Sequence, residues 1–382
     1  MSDRPTPDWD PRNAAVLRDQ RDAYDALRER CPVAHSDFLG WTLSRHQDIV
    51  GVLADPATYS SASHHRAVPN SMDPPEHTRY RRPLERYFAP ERMRAFEPRC
   101  RQIAADLLPG LLARDSVDFV AAFAQPFCFS ALCAFLGWPP AMAERLRGWT
   151  HGNQEVAFSQ DRAAGAALAR AFTALVTEAI RARREAGAGA SADLTTELMG
   201  TTVEGASLSD EAIADILRNW VAGHGTVAAA LGILVAYLAA HPDAQGRLRR
   251  EPALVPAAIE EIPRADGPLV ANRRTATRAV TIEGRRIEAG EKLTLNWIAA
   301  NRDGRAFDDP GAVRFDRDQG ANLLYGAGIH VCLGAPLARL ELRIALEELL
   351  ARTTAIALDA AAPPQRETYP SNGYQALPVR IR

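Results

Sequence analysis

A chain of 382 residues with 47% hydrophobic residues is long enough for a large core, and length alone allows two or three domains. Its formal net charge of −2 at pH 7 argues against general binding to nucleic acids. Five cysteines without paired metal-type spacing favour a reducing compartment, and polar residues at positions 1–5 predict neither signal peptide nor membrane anchor, so a cytoplasmic location is expected.

Most of the chain has apolar residues at helical spacing, and its strand patterns are short. In chain order, helices are predicted at residues 92–112, 162–184, 209–240, 242–250 and 335–352. Strands are predicted at 41–43, 292–297 and 377–381, with a hairpin of 280–282 and 285–287 around the turn Glu283-Gly284. We find no internal repeat and no flexible interdomain linker. The sequence therefore predicts one mainly α-helical domain with a minor β region over residues 1–382.

A basic segment at residues 73–82 leads from a loop into a helix. His77 and Arg81 are four residues apart and therefore share one face of that helix. Taken alone, this pattern indicates a solvated basic face.

The longest periodic segment, residues 209–240, predicts a central helix. Ser209 is expected to cap its N-terminus, and His241-Pro242 ends it. Such a helix would run roughly 45–50 Å and cross the whole domain.

Two glycines, Gly223 and Gly225, lie in the middle of this helix. Each costs about 1 kcal/mol relative to alanine, so a local widening over a ligand is predicted there. The Thr226 hydroxyl that follows either serves this site or bonds back to a carbonyl one turn earlier.

Glu261 and Arg264 are three residues apart and can pair on one helical face. Such a pair is common on surface helices, so by itself it indicates little. Pro263 between them would remove one helical hydrogen bond.

One cysteine, Cys332, lies in a glycine-punctuated loop between His330 and a long helix. The thiolate is the form of cysteine that acts as nucleophile or metal ligand, and a helix N-terminus lowers the cost of ionising it. Gly326 and Gly328 allow a tight turn that brings backbone N–H groups toward the sulfur. This pattern suits ligation of a heme iron, whereas a lone cysteine without it is usually a small buried hydrophobe.

Residues 325–334, YGAGIHVCLG, resemble the heme-binding motif of the cytochrome P450 superfamily, Phe-Gly-x-Gly-x-His-x-Cys-x-Gly. Tyr325 replaces the usual phenylalanine, and every other fixed position matches. The resemblance implies a cytochrome P450 fold, with a long central helix over heme b and a proximal loop whose Cys332 is the axial iron ligand. It covers nearly the whole chain, from residue 73 to residue 380.

The resemblance extends to the family's Ala-Gly-x-(Asp/Glu)-Thr motif over the distal face of the heme. It implies catalytic roles for Gly223, His224 and Thr226, with the Thr226 hydroxyl bonding dioxygen and water during proton delivery. Gly225 stands where the family has an acid. His224 is one candidate substitute, since its ordinary pKa is near neutrality, but a side chain one residue away points in another direction. Water or a polar substrate group is the other candidate.

The cofactor contacts implied by the resemblance surround the cysteine loop. Cationic side chains would hold the heme propionates, because buried carboxylates need several donors. These residues are His77, Arg81, Arg274 (with Arg273 as the adjacent alternative) and His330, and the loop itself contributes Tyr325, Gly326 and Gly334. Glu261, Arg264 and Arg314 match the family's structural lock of the proximal core.

The substrate pocket is less specified by the sequence. By resemblance it would include Val221, Ala222, Pro268, Leu269 and Val270. A mostly apolar lining predicts a small hydrophobic or aromatic substrate.

By resemblance, the chain would insert one oxygen atom of O2 into that substrate by hydroxylation or O-dealkylation. It ends 30 residues after the last predicted helix, so electrons are expected from a separate ferredoxin or flavodoxin with an NAD(P)H-dependent reductase. A basic proximal patch with Arg99, Arg339 and Arg343 would dock that partner. Gly225 keeps open a peroxide-using or atypical oxidation such as coupling or demethylation. A heme-binding sensor without turnover is the second alternative, although no helix-turn-helix or basic arm supports it.

Overall fold

The structure is a computed structural model that describes residues 6–63, 66–187 and 193–382; the polar residues 1–5 lie outside this range. The helices within it are α1 Ala14–Arg18, α2 Gln20–Arg30, α3 His46–Ala54, α4 Glu76–Glu85, α5 Pro90–Leu112, α6 Gln125–Leu136, α7 Met142–Ser159, α8 Arg162–Ala186, α9 Leu194–Met199, α10 Asp210–Ala240, α11 Pro242–Arg250, α12 Val255–Ala265, α13 Trp297–Asn301 and α14 Ala335–Arg352. Short 3-10 turns occur at Arg86–Phe88, Pro252–Leu254 and Gly328–His330, and a π-helical turn at Val120–Ala124.

The strands are short. They are β1 Val33–Ser36, β2 Gly40–Leu43, β3 Tyr59–Ser60, β4 Val117–Asp118, β5 Thr202–Val203, β6 Ala206–Ser207, β7 Ala271–Ala276, β8 Val280–Ile282, β9 Arg285–Ile287, β10 Lys292–Asn296, β11 Ile356–Leu358, β12 Gln365–Arg366, β13 Tyr374–Ala376 and β14 Pro378–Ile381. One sheet has the order β1-β2-β10-β7-β3, with β10 parallel to β2 and antiparallel to β7. A second has the order β11-β14-β4, and β5-β6, β8-β9 and β12-β13 form separate pairs.

The fold is mainly α-helical with a minor β region, as predicted, and the predicted helices 242–250 and 335–352 coincide with α11 and α14. The predicted strand 292–297 ends one residue early, because the Asn296 side chain accepts a hydrogen bond from the Ala299 N–H and caps α13. The pattern missed β7, whose polar residues resemble a loop. Pairing with β10 and β3 makes this segment a strand.

Helix α10 is the predicted long central helix. Its 31 residues span about 47 Å, and the Ser209 side chain caps it by accepting from the Ala212 N–H. The helix is unbroken, so the local widening predicted at Gly223 and Gly225 is not present as a break. By length and composition, α8 and α10 could each cross a membrane, but 72% of the apolar window of α10 is buried inside the protein, as in the core helix of a globular domain.

The main hydrophobic core forms where α10 meets α5, α6, α12 and α14. Fully buried members include Leu231, Leu234 and Leu346. A second core, with Leu293 and Leu295, lies against the five-stranded sheet. Because α10, α12 and α14 share one core, the segments that carry the predicted distal and proximal motifs are held in a fixed relation.

A buried carboxylate ties α12 to the loop that follows α13. Glu261 is 0% exposed, and its two oxygens accept from Nε and Nη2 of Arg264 at 2.7 and 2.9 Å. Arg264, equally buried, also donates to the backbone carbonyls of Asn301, Pro310 and Ala312. Burial raises the pKa of Glu261, but its hydrogen bonds outweigh burial and lower the pKa, so the carboxylate is ionised.

The third cation of this lock is Arg317, and the prediction of Arg314 is wrong. The Arg317 Nε donates to Glu261 Oε1 at 2.8 Å, and its side chain is 4% exposed. Arg314 donates only its backbone N–H to the same oxygen, at 3.0 Å. With that N–H facing Glu261, the Arg314 side chain points outward, is 43% exposed, and lies 3.5 Å from Asp308.

A second buried ion pair joins α10 to α14. The His224 Nε2 lies 3.2 Å from the Glu341 Oε1, and the Nδ1 lies 2.9 Å from the carbonyl of Trp220. Burial lowers the pKa of His224, but the Glu341 carboxylate and the Trp220 carbonyl together outweigh burial and leave the pKa above its ordinary value of 6.5. The raised pKa favours the protonated ring, whose two nitrogens face these two acceptors and join α10 to α14.

Replacing Arg317 with leucine should lower the free energy of unfolding by about 3–5 kcal/mol, because the buried Glu261 charge loses a partner. The matched change Arg314→Leu removes only an exposed pair and should cost less than about 1 kcal/mol. Denaturant unfolding followed by circular dichroism measures both. Equal losses in the two variants would contradict the assignment of Arg317 to the lock.

The His224–Glu341 pair predicts a pH-dependent contribution to stability. Since the pKa of His224 is raised in the folded state, its stabilisation is complete below pH 6.5 and is lost as pH rises through the folded-state pKa. The difference in unfolding free energy between wild type and His224→Asn should shrink as pH rises above about 6.5. His151→Asn, which breaks an exposed pair with Glu155, is the control and should show no such trend. A constant His224→Asn difference would mean that His224 is neutral.

Candidate active site

The loop before α14 places Cys332 near the N-terminus of that helix. The Cys332 N–H donates to the Tyr325 carbonyl at 2.9 Å and closes a turn over Gly326 and Gly328. Both glycines have a positive φ, +69° and +70°, which side-chain-bearing residues rarely adopt. A Cβ on Gly328 would also lie 2.7 Å from the carbonyl oxygen of Leu53 in α3, so this loop packs directly against that helix.

The surroundings of Cys332 suit a ligating sulfur. Cys332 is exposed as a residue, yet the dense protein around its sulfur raises the pKa of the thiol. The backbone N–H groups of Gly334 and Ala335 and the positive charge of Arg81 act in the opposite direction. N–H groups directed at a sulfur stabilise the thiolate and tune a metal bound to it.

Four of the predicted cofactor-binding side chains meet beside this loop. The rings of His77 and His330 have centroids 4.3 Å apart. Burial, followed by the positive charge of Arg274, lowers the pKa of His330 to about 3. The Arg81 Nη1 donates to the Val331 carbonyl at 2.8 Å, so this arginine also holds the cysteine loop.

His77 stands out within this cationic cluster. It is 2% exposed, and neither ring nitrogen has a hydrogen-bond partner among residues 6–63, 66–187 and 193–382. A buried polar group left without a partner costs about 1–3 kcal/mol. Burial also lowers the pKa of Arg274. The cluster is therefore a site of buried donors suited to an anionic ligand.

The two adjacent arginines on β7, Arg273 and Arg274, have different neighbours. Arg274 faces the cluster, where its charge acts on His330. The Arg273 Nη2 instead donates to the Tyr369 hydroxyl at 3.3 Å. The geometry thus favours Arg274 over its neighbour as the ligand-facing arginine.

Two other loop residues are placed as follows. The Tyr325 ring lies under the Arg339 guanidinium, 4.4 Å from its carbon, and its hydroxyl is buried without a partner in the described part of the chain. Burial raises the pKa of Tyr325. A Cβ on Gly334 would meet its nearest described neighbour, the Phe88 ring, at 3.9 Å, so the backbone there is open to a flat ligand.

On α10, residues 222, 223 and 226 are partly or fully exposed. Gly223 is exposed, and a Cβ built on it meets no described atom within 4 Å. Ala222 and Thr226 are half-buried. Over the described ranges, the Thr226 hydroxyl makes no bond back to the carbonyl one turn earlier, so it is available to a ligand.

His224 does not join these residues, and its predicted catalytic role is wrong. Its ring is buried against α14 and bonded to Glu341 and to the Trp220 carbonyl. The rotation of about 100° per helical residue directs this side chain into the core.

At Gly225, α7 packs directly onto α10. A Cβ on Gly225 would lie 2.7 Å from Thr150 Cγ2 and 3.7 Å from Gln154 Nε2. Real Cβ atoms essentially never approach so closely, so even alanine requires a shift of α7. Position 225 therefore lacks both the family's acidic side chain and the space to hold one.

The predicted pocket residues divide into two groups. Val221 and Val270 are 0% exposed and belong to hydrophobic cores, so neither borders open space, and their place in the pocket stays a prediction. Leu269 is half-buried and bridges to Ser371, while Pro268 is buried beside it. Ala222 and Leu269 are therefore the predicted pocket residues that border open space.

Sequence reasoning missed Arg317, which completes the lock, and included Ser61 and Thr150 only within segments 60–71 and 149–158, which the resemblance places at the substrate pocket. Ser61 places its hydroxyl 3.0 Å from the His330 Nε2, and its N–H donates to Asp73 at 2.8 Å. Thr150 covers Gly225. Spacing alone gives neither of these two contacts, because only the fold brings the partners together.

The proposed proximal arginines are largely neutralised. Arg339 pairs with Glu260 at 2.7 Å, and Arg343 pairs with Glu97 at 2.6 Å. Arg99 is exposed and makes no ion pair within the described residues. These three side chains do not form a strongly basic patch.

Comparison with known proteins places this site in a family. Residues 159–368 match the family described as Cytochrome P450. The chain is 34% identical over 347 residues to the erythromycin C-12 hydroxylase of Saccharopolyspora erythraea, covering 87% of each chain. It is 32% identical over 379 residues to the cyclomarin C epoxidase CymV of Salinispora arenicola, covering 93% of this chain and 94% of the relative.

A solved structure of a cytochrome P450 has the same fold as this chain. The structure of a mutant of P450 EryK in complex with erythromycin B superposes with a TM-score of 0.86 at 31% identity, covering 95% of this chain and 96% of that one. The cysteine loop, the central helix and the buried lock lie within this shared fold. The chain belongs to the cytochrome P450 family, the heme b-binding monooxygenases.

Proposed function

We propose that this protein inserts one oxygen atom of O2 into a mostly hydrophobic secondary metabolite at a heme held by Cys332. The observation that carries the proposal is the position of Cys332 in a tight loop at the N-terminus of α14, closed by the Cys332 N–H donating to the Tyr325 carbonyl at 2.9 Å over Gly326 and Gly328. Electron donation by a thiolate favours cleavage of the O–O bond. Two electrons, two protons and O2 convert a substrate C–H bond to C–OH and release one water.

The residues present fit a heme. Cys332 would ligate the iron, and the two unpartnered nitrogens of His77 would be satisfied by a propionate carboxylate. Arg274 and His330 supply further cationic or polar contacts at the same cluster. The buried donors that are costly without a ligand become favourable with one.

Residues of this chain would hold a water, admit substrate and O2, and orient the substrate. Thr226 presents an unengaged hydroxyl on the open face of α10 and would hold a proton-carrying water there. Gly223 keeps this face free of a side chain, so substrate and O2 can approach the helix. Leu269 gives the pocket an apolar wall that excludes water and orients the substrate.

The substrate class follows from the relatives and from the apolar wall. The hydroxylase acts on erythromycin, and the epoxidase on cyclomarin C. A hydrophobic secondary metabolite, oxidised by hydroxylation, epoxidation or O-dealkylation, is the class that fits both.

Electrons would come from a separate ferredoxin or flavodoxin with its NAD(P)H-dependent reductase, and a cytoplasmic location would keep both partners within reach. Because Arg339 and Arg343 are paired with glutamates, docking would depend on shape and on unpaired cations such as Arg99.

A peroxide-using reaction is the second candidate, and Gly225 favours it, because the family's distal acid is absent. Turnover with hydrogen peroxide, and none with a ferredoxin system, would establish that reaction instead. Heme-bound protein that yields product with neither would revive a non-catalytic sensor.

The spectrum of the reduced, CO-bound protein tests the thiolate. Wild type should show the strongly red-shifted Soret band of a thiolate-ligated heme, and Cys332→Ala should lose it, because the sulfur donor is gone. Cys31→Ala, which changes a half-buried cysteine elsewhere, is the control and should keep the band. Reconstituted wild type without bound heme, or a red-shifted band in Cys332→Ala, would overturn the proposal.

Arginine replacements on β7 test the propionate cluster. Arg274→Gln should speed heme loss to apomyoglobin by about tenfold or more, since a buried carboxylate would lose a charged partner. Arg273→Gln, whose guanidinium reaches Tyr369, is the matched control and should stay within about twofold. Faster loss from the control than from Arg274→Gln would show that the adjacent arginine holds the propionate.

A further inference from the structure

The contact between α7 and α10 bears on proton delivery near Thr226 as well as on helix packing. Position 225 has no carboxylate, and Thr150 fills the space where one would begin. Proton delivery on the distal side still needs a polar group close to Thr226. Among the described residues, the side chains that lie nearest to a Cβ on Gly225 are Thr150 and Gln154 of α7, so a protein group that replaces the acid is sought there.

Thr150 has the properties of such a group. It is 5% exposed, and its hydroxyl is buried without a hydrogen-bond partner in the part of the chain that the structure describes. Two threonines on α8, Thr173 and Thr177, satisfy this hydroxyl locally by donating to carbonyls one turn earlier. Thr150 does not, although it lies on a helix and has the same option.

One polar side chain accompanies Thr150 at this contact. Gln154 lies one turn later on α7 and brings its carboxamide to the same place on α10. The charged neighbours on α7, His151 and Glu155, pair with each other at 3.3 Å with side chains that are mostly exposed. A hydroxyl and a carboxamide can each accept one hydrogen bond while donating another, so both can pass a proton along a chain of water.

We propose that the Thr150 hydroxyl, backed by Gln154, replaces the absent distal acid and connects solvent protons to the Thr226 hydroxyl. This rests on the proposed monooxygenase function. In each transfer, the Thr150 oxygen accepts a proton from a water on the solvent side as its own proton passes to a water on the Thr226 side. The hydroxyl is unchanged at the end, and the protons consumed come from solvent.

Proton transfer is tested with dioxygen as the only ligand, so no substrate or redox protein is needed. Chemically reduced, heme-loaded protein is mixed with O2, and the decay of the oxygenated spectrum is followed by stopped flow in H2O and D2O. Thr150→Val keeps the shape and removes the hydroxyl, and it should slow this decay by about tenfold and reduce its solvent isotope effect. Thr150→Ser keeps the hydroxyl and should stay within about twofold of wild type.

Stability separates this role from packing. Gly225→Ala should lower the unfolding midpoint, because its Cβ meets Thr150 Cγ2, whereas Gly148→Ala in α7 has free space and should not. Combining Gly225→Ala with Thr150→Ser removes that methyl group and should restore the midpoint. This cycle needs no heme chemistry.

The outcomes are distinct. Unchanged decay and isotope effect in Thr150→Val, with a normal CO-bound spectrum, would overturn the relay. Failure of the serine variant to restore stability to Gly225→Ala would overturn the placement of Thr150. Loss of the CO-bound spectrum in wild type would instead mean that the proposed function itself has failed.

Discussion

The buried carboxylate of Glu261 is the constraint on which the rest of the site depends. An ionised group with no exposure is stable only if cations and N–H groups surround it, and Arg264, Arg317 and the backbone at 314 do so. These donors lie on segments far apart in sequence. Their convergence fixes α12 against the loop after α13, and the chain runs from there directly into the loop of Cys332. The position of the sulfur is therefore set by an electrostatic requirement some distance from it.

The same balance of charge and burial recurs at the site itself. The lock satisfies its charge within the protein, whereas in the cluster of His77, Arg274 and His330 the nearby Asp73 carboxylate does not offset the effect of burial on the three pKa values. Burial and mutual repulsion lower the pKa of His330, which is the opposite of what an internal ion pair would do. One group of charges is satisfied within the fold, whereas the other leaves both ring nitrogens of His77 without a partner among the described residues, which supports the proposed ligand-binding role of the cluster.

Periodicity predicted the long helices well, because apolar residues at helical spacing report burial directly. Individual side chains were harder. Arg314 and Arg317 are equally basic in sequence, and only the direction of the backbone N–H at 314 decides which guanidinium reaches Glu261. His224 was correctly placed on α10, but its role depended on Glu341, more than a hundred residues away. Val221 is apolar, as expected of a pocket residue, but its side chain packs in the hydrophobic core. Each error concerns a side chain whose partner is distant in sequence, where spacing carries no information.

Gly225 shows the limit of reading a motif as a set of independent positions. An acid at this point would need space, and Thr150 of α7 occupies that space. Thr150 and Gly225 are therefore coupled: enlarging one requires reducing the other. If the distal face retains its proton chemistry, the polar group has moved from the helix that carries the motif to the helix packed on it. Function at this face is then a property of the interface between α7 and α10, and neither helix alone determines it.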